Sequence, residues 1–345
     1  MLKLSFIVPL YNSAKWLEKC LYSILNQDIP EDQMEVVCVN DGSPDNSADL
    51  AREIGKKHPS IIVIDQPNQG PSGARNTGIK AATGKYLAFV DPDDFVESDV
   101  YGKLVQQMEN EQLDMLRFNY QIVDENYNPI EKRPFEKAFD YTPKLMSGAE
   151  FLATRLDIAC NIWRYLYRRE IITTNNIWCF TGDYYDDTPW LPLVLLKAER
   201  MNICDVVVYN YLVRADSLVK TNNPKMMKRK SDGVILLLKY LEKELADIRN
   251  GRLEVSEEWK DGVIAWYKMI EAHAVVSLLT NIGTNLFSER KYYVSQLCEL
   301  KVFPLSTITN SKKSLRKIRI ANFSQMALIW LIYLKHSMSY HGAEY

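Results

Sequence analysis

Acidic side chains in the first hundred residues fall just after segments that read as strands. Asn40-Asp41-Gly42-Ser43 follows Glu35–Val39, and Asp91-Pro92-Asp93-Asp94 follows Tyr86–Val90. Both preceding segments, like Leu4–Val8, are short, apolar and rich in β-branched or aromatic residues, which predicts buried strands. In open α/β sheets, ligands bind beyond the carboxyl ends of the strands. Acidic clusters delivered to that edge suit a ligand that carries a metal ion and several hydroxyls. A nucleotide-sugar is such a ligand.

Each cluster supports a specific chemistry and also a plainer role. Asp91 and Asp93 flank Pro92 on a turn, where their carboxylates can face one point. A hard cation, Mg²⁺ or Mn²⁺, takes such oxygen ligands and leaves room for phosphate oxygens. The same residues would equally make a polar turn in which Asp94 caps the next helix. Asp41 can accept hydrogen bonds from a base N–H or a ribose hydroxyl, or form an Asx turn toward a helix near Ser47. In Asn68–Asn76, Gly70 and Gly73 permit close backbone approach. A helix N-terminus there, with Arg75 nearby, attracts anions. The segment lacks the lysine of a phosphate loop, and a Gly-Pro turn before an ordinary helix has the same composition. Asp186 and Asp187, in Asp183–Trp190, would by themselves be an acidic helix start favoured by the helix dipole. The four histidines lie outside these motifs, so no catalytic or metal-binding histidine is expected.

The elements that must position these residues alternate along the chain. Leu17, Cys20, Leu21, Ile24 and Leu25 recur at helical spacing, as do Leu50, Ala51 and Ile54. Ile61–Ile64 reads as a strand, and a further helix opens near Ser72 and stops at Gly84. This βαβαβαβ order predicts a parallel sheet covered by helices on both faces. Met115–Val123 reads as a strand, Asp124–Pro143 as a polar loop and Ala149–Arg155 as a helix. Beyond Asn222 the chain turns helical, with an apolar stripe of Val234, Leu237, Leu238, Leu241, Leu245 and Ile248 ending at Asn250-Gly251. Helices are expected over Glu257–Asn281 and Glu289–Leu300. Residues 311–319 carry five basic residues and no acid, and an apolar helix-like stretch follows to Tyr340.

Four motifs in order carry a family resemblance. They are Ile7-Val8-Pro9-Leu10-Tyr11-Asn12, Val39–Ser47, Asn68-Gln69-Gly70 with Ala74–Gly78, and Gly84–Asp94. Together they closely resemble the family 2 glycosyltransferases, inverting enzymes of the GT-A fold. The match is specific over about residues 4 to 100 and looser to about 218. The resemblance implies an α/β fold, a mainly parallel sheet flanked by helices, with a C-terminal helical extension. It divides the chain into a nucleotide-sugar-binding part (1–102), an acceptor-side part (103–222), a helical domain (223–310) and a basic, apolar tail (311–345). By position, Pro9 and Tyr11 would line the base pocket, Asp41 would bind the base, Arg75 would lie near the nucleotide, Asp91 would contact the ribose and Asp93 would hold the metal. The family usually has Asp where Asn40 stands. It also expects a carboxylate base after a second acid and before an aromatic residue. Asp187 aligns with that base, Asp186 replaces the usual Glu, and Trp190 supplies the aromatic on the acceptor side. Tyr209–Leu218 resembles the strand and loop that close that side, where Arg214 could meet diphosphate or acceptor. Asn161–Ile171, with Trp163, reads as packing.

The implied activity is transfer of a sugar from a UDP-sugar to a saccharide or lipid-linked saccharide, with Mg²⁺ or Mn²⁺, in surface polysaccharide or glycolipid synthesis. A sugar nucleotidyltransferase would carry a Gly-rich, Arg/Lys-containing loop after the first strand, and Pro9–Asn12 has none. A non-catalytic GT-A-like scaffold in an assembly complex is the other alternative. A net charge of -2 gives no reason to expect nucleic acid. The six scattered cysteines read as reduced core residues and favour the cytosol. The first ten residues read as a strand rather than a signal peptide, and no uninterrupted apolar stretch approaches a membrane span. The tail suggests peripheral contact with the inner face of a membrane.

Overall fold

Apolar, β-branched runs form the first four strands: β1 (Leu4–Leu10), β2 (Met34–Asn40), β3 (Ile61–Asp65) and β4 (Tyr86–Phe89). The computed structural model describes residues 2–130, 139–155, 160–180, 187–214, 223–284 and 289–302. They fall into two compact units, one holding the described residues up to 214 and the other those from 223.

In the first unit the four strands lie parallel in the order β3-β2-β1-β4. Three helices connect them: α1 (Ala14–Leu25), α2 (Ser47–Gly55) and α3 (Gly70–Ala81). α1 buries Trp16, Leu17, Cys20, Leu21 and Ile24, one face at helical spacing. α3 starts earlier than Ser72 because Pro71 is pre-set for a first helical turn. It also ends before Gly84. That glycine instead packs where the chain enters β4, and a Cβ there would stand 2.5 Å from Ser5 Oγ. A Cβ on Gly78 would meet Ile7 Cγ2 at 2.4 Å, so glycine is what lets α3 lie against β1.

The register of β1 opens the crevice that matters. Its pairing with β4 stops at Ile7–Phe89, whereas its pairing with β2 continues to Leu10–Asn40. Ile7 O accepts from Val90 N at 3.0 Å, so alternate residues of β1 face β4. Pro9 shares that parity and lies beyond the end of β4, where its missing N–H leaves no partner stranded. The strand order reverses between β1 and β4, which marks the usual ligand crevice of an α/β sheet.

The rest of the unit comprises β5 (Phe95–Val96), α4 (Tyr101–Asn110), β6 (Met115–Val123), β7 (Pro129–Ile130), α5 (Gly148–Thr154), β8 (Tyr165–Arg168), α6 (Arg169–Thr173), α7 (Asp187–Leu195) and β9 (Met201–Leu212). The sheet continues β4-β8-β6-β9-β5, with β7 paired to β6. β8 runs antiparallel to both β4 and β6, while β9 is parallel to β6. Trp163 stacks on Tyr209 with centroids 4.2 Å apart, which packs the chain before β8 against β9.

The second unit holds α8 (Pro224–Arg249), α9 (Glu257–Thr284) and α10 (Arg290–Glu299). Asn223 caps α8 by accepting from Met226 N at 2.8 Å. α8 buries Val234, Leu237, Leu238, Leu241, Leu245 and Ile248, the stripe expected from spacing. α9 is long and apolar enough to cross a membrane over Glu257–Asn281, yet 61% of its most apolar window is buried inside the protein. A packed helix of a helical unit has the same composition. Residues 311–345, where the basic and apolar tail was expected, lie outside the described residues.

Candidate functional site

Three strand ends lie side by side at the carboxyl edge of β1, β2 and β4. After β1, Pro9 is buried and Tyr11 is 53% exposed. Asn12 adopts φ 50°, and its N–H donates to Ser43 Oγ at 2.8 Å, joining the ends of β1 and β2. After β2, Gly42 takes φ 64°, which a side chain would resist. Asp41 is buried, and its Oδ1 accepts from Gln66 Nε2 at 2.7 Å and Gln69 N at 2.8 Å. It therefore ties β2 to the segment entering α3. One residue earlier, Asn40 Oδ1 accepts from Ser43 N at 3.0 Å and closes the turn after β2. The helix starts belong to Asp45, which accepts from Ala14 N and Ser47 N. Burial would raise Asp45, but hydrogen bonds from Ser43, Ser47 and Ala14 outweigh it and hold the carboxyl at about 2.

The turn after β4 carries three carboxylates with different surroundings. Asp94 is buried and accepts from Tyr209 Oη and Leu212 N, both at 2.7 Å. It does not cap α4; it fixes the end of β9. Tyr209 Oη also accepts from Asp91 N at 3.0 Å, so one hydroxyl holds both ends of the turn. Burial pushes Asp94 well above the usual carboxylate range, and the charges of Asp93 and Asp91 add to that. Burial also raises Asp93, Asp91 raises it further, and Arg214 opposes both. Arg214 Nη2 lies 2.7 Å from Asp93 Oδ2. Asp94 makes that pair possible, because Leu212 is anchored two residues before Arg214.

Arg75 on α3 links the β4 turn to α7. It is buried, with Nη2 2.9 Å from Asp91 Oδ1 and Nη1 3.1 Å from Asp187 Oδ1. Asp187 is the first residue of α7, so its carboxylate also sits at the positive end of the helix dipole. Trp190 is fully buried, edge-on to Phe89 at 5.7 Å, and its Nε1 donates to Ile177 O at 3.3 Å. Its ring holds the first turn of α7 on the sheet instead of facing an acceptor.

Of the residues singled out in sequence, Arg75, Asp91 and Asp187 are joined directly, and Asp93 and Arg214 form a second pair. Pro9, Tyr11 and Asp41 line the ends of β1 and β2. Asp186 lies outside the described residues. Among the described residues, no group of three His, Cys, Asp or Glu side chains is placed to hold a metal. Two contributors had no separate signal. Tyr209 looks like any strand tyrosine, and Asp94 looks like a cap until β9 is seen beside it.

A sheet of this order, with acidic turns at the β1/β4 reversal, has the GT-A arrangement of nucleotide-diphospho-sugar transferases. Residues 5–173 match the family model described as Glycosyl transferase family 2, and this stretch of the chain belongs to that family. The uncharacterized glycosyltransferase EpsJ of Bacillus subtilis (strain 168) is 35% identical over 218 residues, 63% of this chain. The match spans 62% of that relative's length. Among solved structures, S. aureus TarS 1–349 in complex with UDP-GlcNAc superposes with a TM-score of 0.71 at 20% identity, covering 100% of this chain and 93% of that one. The mannosyltransferase PcManGT from Pyrobaculum calidifontis, in complex with GDP-Man and Mn²⁺, gives 0.55 at 17% identity over 98% of this chain and 87% of that one. At these identities both likenesses show the shared fold.

Proposed function

We propose that the protein transfers a sugar from a nucleotide-diphosphate sugar, a UDP-sugar, to a saccharide or lipid-linked saccharide hydroxyl, inverting the anomeric centre. The product would be a surface polysaccharide or glycolipid. The observation that carries this reading is the Arg75 bridge, which brings a carboxylate after β4 and one at the start of α7 into a single site.

Tyr11 and Pro9 would border the base, Asp41 would accept from it, and Asp91 would accept from the ribose. Asp187 would take the proton of the acceptor hydroxyl as that oxygen bonds to the anomeric carbon. The sugar–phosphate C–O bond breaks on the opposite face, and the nucleoside diphosphate leaves with the electron pair. Arg214 would meet the diphosphate once released from Asp93.

Asp93 fits a divalent cation. Burial and the charge of Asp91 disfavour its ionised form, so it gains from a positive partner. Mg²⁺ or Mn²⁺ is commonly held by one or two carboxylates completed by phosphate oxygens and water. Bound there, it would neutralise charge on the departing diphosphate.

A screen of UDP- and GDP-sugars against saccharide acceptors, read by release of nucleoside diphosphate, tests the activity. Turnover that depends on acceptor is the expected result. No release from any donor would favour the scaffold alternative. For residues 311–345 we propose peripheral contact with an anionic membrane. The full chain should sediment with anionic vesicles, and a version ending at residue 310 should not; equal behaviour of the two removes this role.

A further inference from the structure

Arg75 and its neighbour Asn76 both reach from α3 toward the chain that delivers Asp187. Asn76 Nδ2 donates to Cys179 O at 2.8 Å, and Cys179 N donates back to Asn76 Oδ1 at 2.7 Å. This two-way bond fixes the backbone at Cys179, upstream of α7. Arg75 is buried, and its guanidinium is divided between Asp91 and Asp187. An arginine serving mainly as an anion receptor would present its donors outward. Here two of them are committed to carboxylates.

We propose that Arg75 is a positioning residue for Asp187: it ties the base to the donor-side turn at Asp91 and holds it ionised, while Asn76 seats Cys179 upstream of it. This rests on the reading of Asp187 as the base. A guanidinium 3.1 Å from a carboxylate favours its charged form, and a fixed fork limits how far it can turn. Among the described residues, the groups placed about Asp187 include Arg75 on α3, Asp91 after β4 at the other arm of that guanidinium, and Tyr167 on β8, which Cys179 also faces. Burial pushes the Tyr167 hydroxyl well above its usual range, so Arg75 is the one of these four that supplies positive charge near neutral pH. A donor that draws on Asp91 also changes what Arg75 holds at its other arm, linking donor loading to the base.

The experiment compares Arg75→Gln, Arg75→Lys, Asn76→Ala, Asp187→Asn and the Arg75→Gln/Asp187→Asn pair in the full chain. UDP affinity is measured by calorimetry, and kcat and KM for transfer are measured from acid to alkaline pH. Arg75→Gln should keep UDP binding within a few-fold and lower kcat by about 10²-fold near neutral pH. The acid limb of its kcat/KM profile should move up by about one pH unit or more. Arg75→Lys should recover part of kcat. Asn76→Ala should lower kcat without moving that limb. In the Asp187→Asn background, Arg75→Gln should cost little more, because it acts through the same group. A full, additive loss in the pair, or a loss confined to UDP affinity and flat with pH, overturns the proposal and makes Arg75 a donor-binding group. Full activity in Asp187→Asn would instead remove the base assignment, and the positioning role with it.

Discussion

Asp93 and Asp187 carry different halves of the proposed reaction, so their substitutions should fail differently. Asp93→Ala removes a carboxylate that burial and Asp91 make dependent on a positive partner, here Arg214 and in the proposed complex the cation. Its UDP affinity should fall and should no longer respond to Mn²⁺ or Mg²⁺, as measured by calorimetry with and without the metal. An unchanged response would place the cation elsewhere. Asp187→Asn keeps the shape of the side chain and its place at the start of α7. UDP should bind as before while transfer falls by roughly 10² to 10⁴-fold, the usual contribution of a positioned base. Near wild-type transfer would show that another group takes the proton. The acidic residues themselves drew attention in sequence because Asp41, Asp91 and Asp93 follow recognisable strands and Asp187 falls inside Asp183–Trp190, which resembles the family's base motif. Their partners did not. Arg75 read as a residue near the nucleotide, and nothing near it in sequence shows that its arms reach residues 16 and 112 positions away.

Between elements, the site depends on a link from the β4 turn to β9. Tyr209 Oη accepts from Asp91 N and donates to Asp94, while its ring stacks on Trp163. Tyr209→Phe keeps the stack and removes both hydrogen bonds, leaving buried polar groups underserved. Stability should fall by about 1–3 kcal/mol, read from urea denaturation. UDP affinity should fall with it, because the turn that aims Asp91 and Asp93 loosens. If stability drops and affinity does not, the turn is held by Leu212 N on Asp94 alone. The βαβ half of the fold was readable, since period-2 and period-3.6 patterns alternate there with turn residues between. The half from β8 to β9 was not. β8 is a four-residue strand lying between a 3₁₀ turn and α6, and α7 contains Pro189 and Pro192 and is apolar on nearly every side. Neither offers a period to read, and both are set by packing around Trp190 and Tyr167.

Across the molecule, carboxylates are not uniformly solvated, and this gives stability a pH dependence. In the helical unit, Glu244 on α8 is buried. Burial pushes its carboxyl up to about 8, against the nearby Tyr267 hydroxyl and the charge of Lys243, while Asp247 adds to the rise. Glu271 on α9 is also raised by burial, with Lys268 shared between it and Glu242 at 2.6 Å each. A carboxyl whose folded pKa exceeds its unfolded value holds its proton more tightly in the fold. The stability it contributes is complete below the unfolded value of 4.5, and is lost as pH rises toward about 8. Wild-type stability should therefore decline across that window in metal-free buffer. Glu244→Gln keeps the volume and cannot ionise, so its stability should decline less steeply. The gap between variant and wild type should widen by on the order of 1 kcal/mol per pH unit above the unfolded value, and level off past about 8. Some slope should persist in the variant, because Glu271 and Asp93 shift in the same direction. Urea midpoints for both proteins at acid, neutral and alkaline pH measure this, and parallel pH profiles would show that Glu244 ionises in the fold as it does in water.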